Sequence, residues 1–173
     1  DDKSFNQLGF EGLEKAAKEL GVDFVKVQSS SESDFAPNLQ SLVDQNCTLI
    51  ISVGFALASA AGESAKANPD IEYLSIDDTV DNDHDGKTDE PNIKPIIFDT
   101  AQAAFLAGYA SASYSTAKKV GTFGGMNFPT VSIFMDGFKQ GVDYWNTEKK
   151  DDVQVIGWNG TDGVFTGGFE ANQ

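Results

Sequence analysis

The sequence predicts an α/β chain of open parallel sheets flanked by helices and divided into two lobes. Three observations predict it. Strand-like and helix-like stretches alternate along most of the chain. Thr48 to Val53 is a short continuous apolar run, which suits a strand buried on both faces of a parallel sheet. The strand–helix pattern then begins again near Lys118-Lys119, which divides residues 1–117 from a second lobe over 118–173.

Each element follows from its own residues. Ser4 to Leu20 is a helix, with Leu13, Ala16, Ala17 and Leu20 at helical spacing and Gly21 as its stop. Gly9 and Gly12 are poor helix formers and point to a close approach by backbone or ligand. Val22 to Gln28 alternates weakly and reads as a strand. Phe35 to Asn46 is an amphipathic helix with Asp34 as its N-cap. After the strand at Thr48–Val53 come Gly54-Phe55 and a small-residue helix, Ala56 to Ala67. Ile71 to Ile76 is a strand ending at Asp77-Asp78, and a long acidic loop follows. Ile93 to Phe98 is a strand and Thr100 to Ser115 a helix. Lys119 to Phe123 is a strand ending at Gly124-Gly125. Pro129 suits the first turn of a helix that runs to about Asn146. Val153 to Trp158 is the last strand, and the tail to Gln173 is a Gly-rich loop.

Composition narrows the function. The 173 residues carry a formal charge of −15, and all 12 basic residues are Lys. A chain this acidic, with no Arg fork for phosphate, is a poor partner for nucleic acid. The single Cys47 cannot form an internal disulfide and reads as a buried structural thiol. No apolar run approaches the ~18 residues of a membrane span. Asp1 opens directly into a loop that looks active, as a processed or truncated end does.

In open parallel sheets, ligands bind outside the carboxyl ends of the strands. That rule selects Gly54, Phe55, Asp77, Asp78, Gly124, Gly125, Met126 and Trp158, expected on one rim with Phe5 and Asn6 at the first helix start. Phe5, Phe55 and Trp158 offer ring faces for stacking. Asn6 supplies a donor and an acceptor together. Asp77 can accept from paired hydroxyls, as on a ribose. Catalytic signatures are missing: there is no G-x-S-x-G elbow, no phosphate loop of either common kind, and the only histidine, His84, lies in the acidic loop. The loop itself places Asp81, Asp83, Asp85 and Asp89 at positions 1, 3, 5 and 9, with Gly86 at 6, which matches calcium-loop spacing. Position 12 is Asn92 rather than the usual bidentate Glu, with Glu90 as a substitute. A solvated acidic loop and a structural calcium both fit.

The chain also resembles a known family. Asp1-Asp2-Lys3-Ser4-Phe5-Asn6-Gln7 with Glu11-Gly12-Leu13 is similar to the start of the basic membrane protein family of substrate-binding lipoproteins of ABC importers, which includes purine nucleoside receptors. Ser52-Val53-Gly54-Phe55-Ala56, Ser75-Ile76-Asp77, Ala103 to Tyr109, Val120 to Met126, and Phe134 through Asp136-Gly137-Phe138 to Val142 continue the likeness. The resemblance implies a two-lobed type I periplasmic-binding-protein fold closing on a nucleoside in its cleft. It implies that Phe5 stacks on the base, Asn6 bonds the base edge and Asp77 holds the ribose. It implies permease and ATPase partners and an extracytoplasmic, lipid-anchored location. The family's first strand, with a further base-binding Asp, is expected before Asp1, and most of its second lobe after Gln173. Three other functions stay in view: a riboflavin or other flat-ligand receptor of the same family, a nucleoside-processing enzyme using Asp77 or Asp78, and a calcium-stabilised surface module.

Overall fold

The computed structural model describes residues 5–83 and 85–168. Ser4 at the expected helix start, His84 and the last residues of the tail lie outside them. The chain forms two compact units, Asp1–Ile97 and Phe98–Gln173. The break thus precedes the expected one at 117/118. The helix after Phe98 belongs with the second unit because its small residues seat against the next helix, as described below.

In the first unit, helix α1 (Phe5–Leu20) is followed by α2 (Phe35–Asp44), strand β1 (Leu49–Val53), α3 (Ala58–Ala67), β2 (Glu72–Ile76) and β3 (Ile93–Ile96). The three strands form a parallel sheet in the order β1-β2-β3. Ile50 and Tyr73 lie in adjacent register and meet Leu39 and Leu42 of α2 and Ala58, Ala61 and Ala65 of α3. Alanines on α3 let its backbone come close to the sheet. Tyr73 stays buried because its hydroxyl hydrogen-bonds Ser64 Oγ at 2.8 Å. At the far end of the sheet the Asn92 amide donates to the carbonyls of Ala65, Asn68 and Ile71. This clamp ties the end of α3 to both β2 and β3.

Three local expectations change. Val22–Gln28 takes no regular structure and joins no ladder among the described residues, and Val22, Phe24, Val25 and Val27 remain exposed. A strand needs a neighbour's carbonyls and amides, and alternation alone does not supply one. β1 is covered unevenly on its two faces: Ile50 and Ser52 are buried on one, Ile51 and Val53 are partly buried on the other, and Leu49 is 52% exposed. Asp34 does not cap α2. Its carboxylate turns back to accept from the amides of Ser30 and Ser31, which holds it below the usual carboxylate range.

The second unit holds α4 (Thr100–Tyr114), β4 (Lys119–Gly121), α5 (Pro129–Lys149) and β5 (Gln154–Ile156), with β4 and β5 parallel. Asp99 caps α4, accepting from Gln102 N–H. The α4–α5 contact is backbone on backbone. A methyl on Gly108 falls 1.9 Å from Phe138 O, and one on Gly141 falls 2.0 Å from Phe105 O. Ala112, Val142 and Val153 fill the core beside them. Beyond α5, Lys150 turns in the left-handed region and Asp151 accepts from Lys118 Nζ and Trp145 Nε1. That network pins the end of α5 to the start of β4.

Candidate functional site

The sheet of the first unit ends in two unusual turns. β1 passes into Gly54 at φ 99°, and β2 passes into Asp77 at φ 77°. Gly54 N–H donates to Ile76 O at 3.0 Å, and Asp77 N–H donates to Ile96 O at 2.8 Å. The ladder therefore runs one residue past each strand and sets Gly54 beside the Ile76–Asp77 peptide. Glycine takes positive φ freely, whereas a side chain there costs about 1–3 kcal/mol. Asp77 bears that strain while half-buried. Burial, and then the charge of Asp78, push its carboxyl above the ordinary carboxylate value. Asp78 turns away, accepting from Val80 N–H at 2.8 Å.

Helix α1 brings a second set of groups to this end. Gly9, in its second turn, meets the last residue of β1: a methyl placed on Gly9 lies 3.1 Å from Val53 Cγ2. Phe5 and Asn6 stand four and three residues before Gly9, hence on the same side of the helix. Phe5 is 42% exposed, and Phe55 follows Gly54 in the short helical turn that leads into α3. Val53 points to the face opposite Ile50 and Ser52, so α1 covers the side of the sheet that α2 and α3 leave bare. Phe5, Asn6, Gly54, Phe55 and Asp77 thus all belong to one unit and to one end of its sheet.

The remaining rim residues belong to the second unit. Gly125 and Met126 follow β4, where Gly167 N–H donates to Gly125 O at 2.8 Å; Met126 is exposed. Trp158, expected to offer a ring face, is a core residue instead. It is 6% exposed, packs edge-on against Phe165 and donates its indole N–H to Asp136 Oδ1 at 2.8 Å. A strand end rich in apolar neighbours draws a large ring inward.

The acidic loop brings Asp81, Asp83 and Asp89 together, with carboxylate oxygens within 4.8 Å of one another. Asp85 stays apart and accepts from Lys87 N–H. The cluster is already hydrogen-bonded: Asp81 accepts from the amides of Asp85 and Gly86, and Asp89 from Asn82. Beside it a hollow of about 390 Å³ is lined by Gly62, Glu63, Lys66, Asn82, Asp83, Asp89 and Glu90. Asn92, the twelfth position of the calcium-loop spacing, is spent on the α3 clamp. Sequence reasoning missed that clamp and also Val80, a fully buried β-branched residue at φ 52° that fixes the loop's root. No sequence signal marks Val80. The isolated Asn at the start of β3 could have suggested the clamp.

Helices on both faces of a parallel sheet, with an aromatic, an amide and a carboxylate at the strand carboxyl ends, describe the solute-binding class of α/β proteins. Solved structures agree. A solute-binding protein of an ABC transporter system from Aeropyrum pernix superposes with a TM-score of 0.74 at 28% identity, covering 88% of this chain and 42% of that one. The chain belongs to the ABC transporter substrate-binding protein PnrA-like family, whose model matches residues 1–160. It is 31% identical to the ABC transporter nucleoside-binding protein BmpA of Lactococcus lactis, over 90% of this chain and 44% of that protein. It is 34% identical to basic membrane protein A of Borreliella burgdorferi, over 91% and 45%. The chain therefore spans about half the length of the curated relatives it matches.

Proposed function

We propose that this chain is the nucleoside-gripping portion of an extracytoplasmic substrate-binding component of an ABC importer, lipid-anchored and served by a permease and an ATPase. One observation carries the reading. Asp77 holds a half-buried carboxylate in a strained left-handed turn at the carboxyl end of β2, beside the glycine turn of β1. Backbone strain gathers at ligand clamps, and here it coincides with the strand carboxyl end, where ligands of such sheets bind. A carboxylate so placed suits two vicinal hydroxyls, and Phe5 and Asn6 at the start of α1 suit the face and edge of a base. The name of the lactococcal relative supports the same ligand class. The role we infer is binding rather than catalysis, since the family and the lactococcal relative are both described as binding proteins.

Calorimetric titration of the native protein, at the length its own gene encodes, with inosine, adenosine and guanosine tests the reading. Saturable heat with at least one is expected. Silence with all three rejects it, and a yellow protein as isolated points to riboflavin instead. Release of free sugar during the titration is the outcome that restores an enzyme.

A further inference from the structure

We infer that Gly9 is a positioning residue: its missing side chain sets how far the first turn of α1 reaches over the end of β1, and so where Phe5 and Asn6 stand. The inference rests on the nucleoside reading above and adds a residue that touches no ligand itself.

A single contact carries it. Gly9 is partly buried in the second turn of α1, and the ideal Cβ position on it lies 3.1 Å from Val53 Cγ2 and 3.6 Å from Val53 Cγ1. The helix backbone rides directly on a β-branched side chain, with space for a methyl at the cost of a few tenths of an ångström and for nothing larger. Val53 is the last residue of β1, and Gly54 and Phe55 come next. On the helix, Phe5 and Asn6 precede Gly9 by four and three residues, so all three project to one side. Side chains on a helix lean toward its N-terminus, which carries Phe5 and Asn6 beyond the Val53 contact. Gly12, by contrast, has nothing within 4 Å of its added Cβ, so the close approach is confined to one of the two glycines of α1. Glycine in the middle of a helix costs about 0.5–1 kcal/mol relative to alanine. At Gly9 that cost accompanies a contact; at Gly12 it does not.

A larger residue at position 9 has to lift this end of α1 off Val53. The helix survives, because valine has a better helix propensity than the glycine it replaces, but the base-facing pair moves. Binding constellations work within about 0.5 Å, so a shift of the size of one or two methyl groups is enough to weaken them.

The test is a cycle of titrations with the nucleoside that the wild-type protein binds, each paired with a thermal melt. Gly9→Val is expected to weaken binding about tenfold or more with little change in melting. Val53→Ala in the same molecule is expected to restore most of the loss. Phe5→Ala and Gly9→Val are expected to be less than additive, because part of the Gly9→Val loss is made through the Phe5 ring. A merely structural role predicts additivity and no rescue. Should Gly9→Val melt early, Gly9→Ala combined with Val53→Ile closes the same gap from the strand side and takes its place. Unchanged binding in the position-9 variants, or additive losses, overturns the inference while the nucleoside reading stands. Absence of binding by the wild type overturns that reading and the inference with it.

Discussion

The two units end their strands differently. In the first, β1 and β2 hand over to Gly54 and Asp77, both at positive φ, and the side chains beyond them are polar or half-exposed. In the second, β5 passes through Gly157, also at positive φ, and turns Trp158 into the core, where Asp136 accepts its N–H. The same chain geometry presents the proposed ligand groups in one case and serves packing in the other. What separates them is the neighbourhood. Trp158 has Phe165 to lie against and Asp136 to take its N–H, whereas Asp77 has Asp78 beside it and donates its backbone N–H to Ile96 O of β3.

Substitution of the two strand-end residues is the strongest way to break this comparison. Trp158→Ala empties a buried site and leaves Asp136 without its donor. The cost expected for losing a core indole is about 3–5 kcal/mol, read from urea unfolding. A loss below about 1 kcal/mol is the result that places Trp158 among ligand residues after all.

Asp77→Gly should show the opposite profile. Relief of the left-handed strain returns about 1–3 kcal/mol, and the added freedom of glycine in the unfolded chain removes about 0.5–1. Stability is therefore expected to hold or rise slightly. Nucleoside binding is expected to fall about 10- to 100-fold, since a hydrogen bond to a charged group is worth about 1.5–3 kcal/mol. The pH profile sharpens the point. Burial and Asp78 raise the Asp77 carboxyl above 3.8. Sugar hydroxyls favour the carboxylate, so affinity should decline as pH falls through a midpoint above 3.8. Folding stability runs the other way. Between the unfolded value and the raised native one the folded chain holds more protons, so this group's contribution declines as pH rises. Asp77→Asn should flatten both curves; an unflattened binding curve assigns the titration to another group.

The sequence made most of the fold legible where hydrophobic runs and breakers coincide. Leu49 to Val53, closed by Gly54, and Glu72 to Ile76, closed by Asp77, became strands with their carboxyl ends where the candidate ligand groups lie. The strand-end rule selects Gly54, Phe55 and Asp77, and the opening of the first helix adds Phe5 and Asn6. Other features depend on partners that spacing does not encode. Val22–Gln28 alternates like a strand yet joins no ladder among the described residues. The division between the compact units falls before α4 rather than after it, because Gly108 and Gly141 look like ordinary helix-weakening glycines until a facing backbone is seen 1.9–2.0 Å from the methyls they lack. Its place after a strand draws Trp158 to the rim, although a single aromatic is more often core, and the bond to Asp136 and the contact with Phe165 place it in the core.

The smallest expected effect lies in the second unit, at the turn between α5 and β5. Asp151 accepts from Lys118 Nζ at 2.5 Å and from Trp145 Nε1 at 3.1 Å. Those bonds, Lys118 first, hold its carboxyl down to about 2. A carboxyl lowered in the folded state contributes stability that is full above the unfolded value of 3.8 and is lost as pH falls toward 2. The pair is solvent-screened, so the loss should be modest and salt-sensitive. Lys118 also sits at φ 55°, a left-handed turn that the ion pair helps to hold at the entrance to β4. Lys118→Gly should therefore cost little at pH 7, where relief of the turn offsets the lost pair, and should remove most of the acid sensitivity between pH 4 and pH 2 that this site contributes. Melting curves of both proteins across that interval decide it. If the variant remains as acid-sensitive as the wild type, the site is a solvated surface contact, and the acid response belongs to other carboxylates.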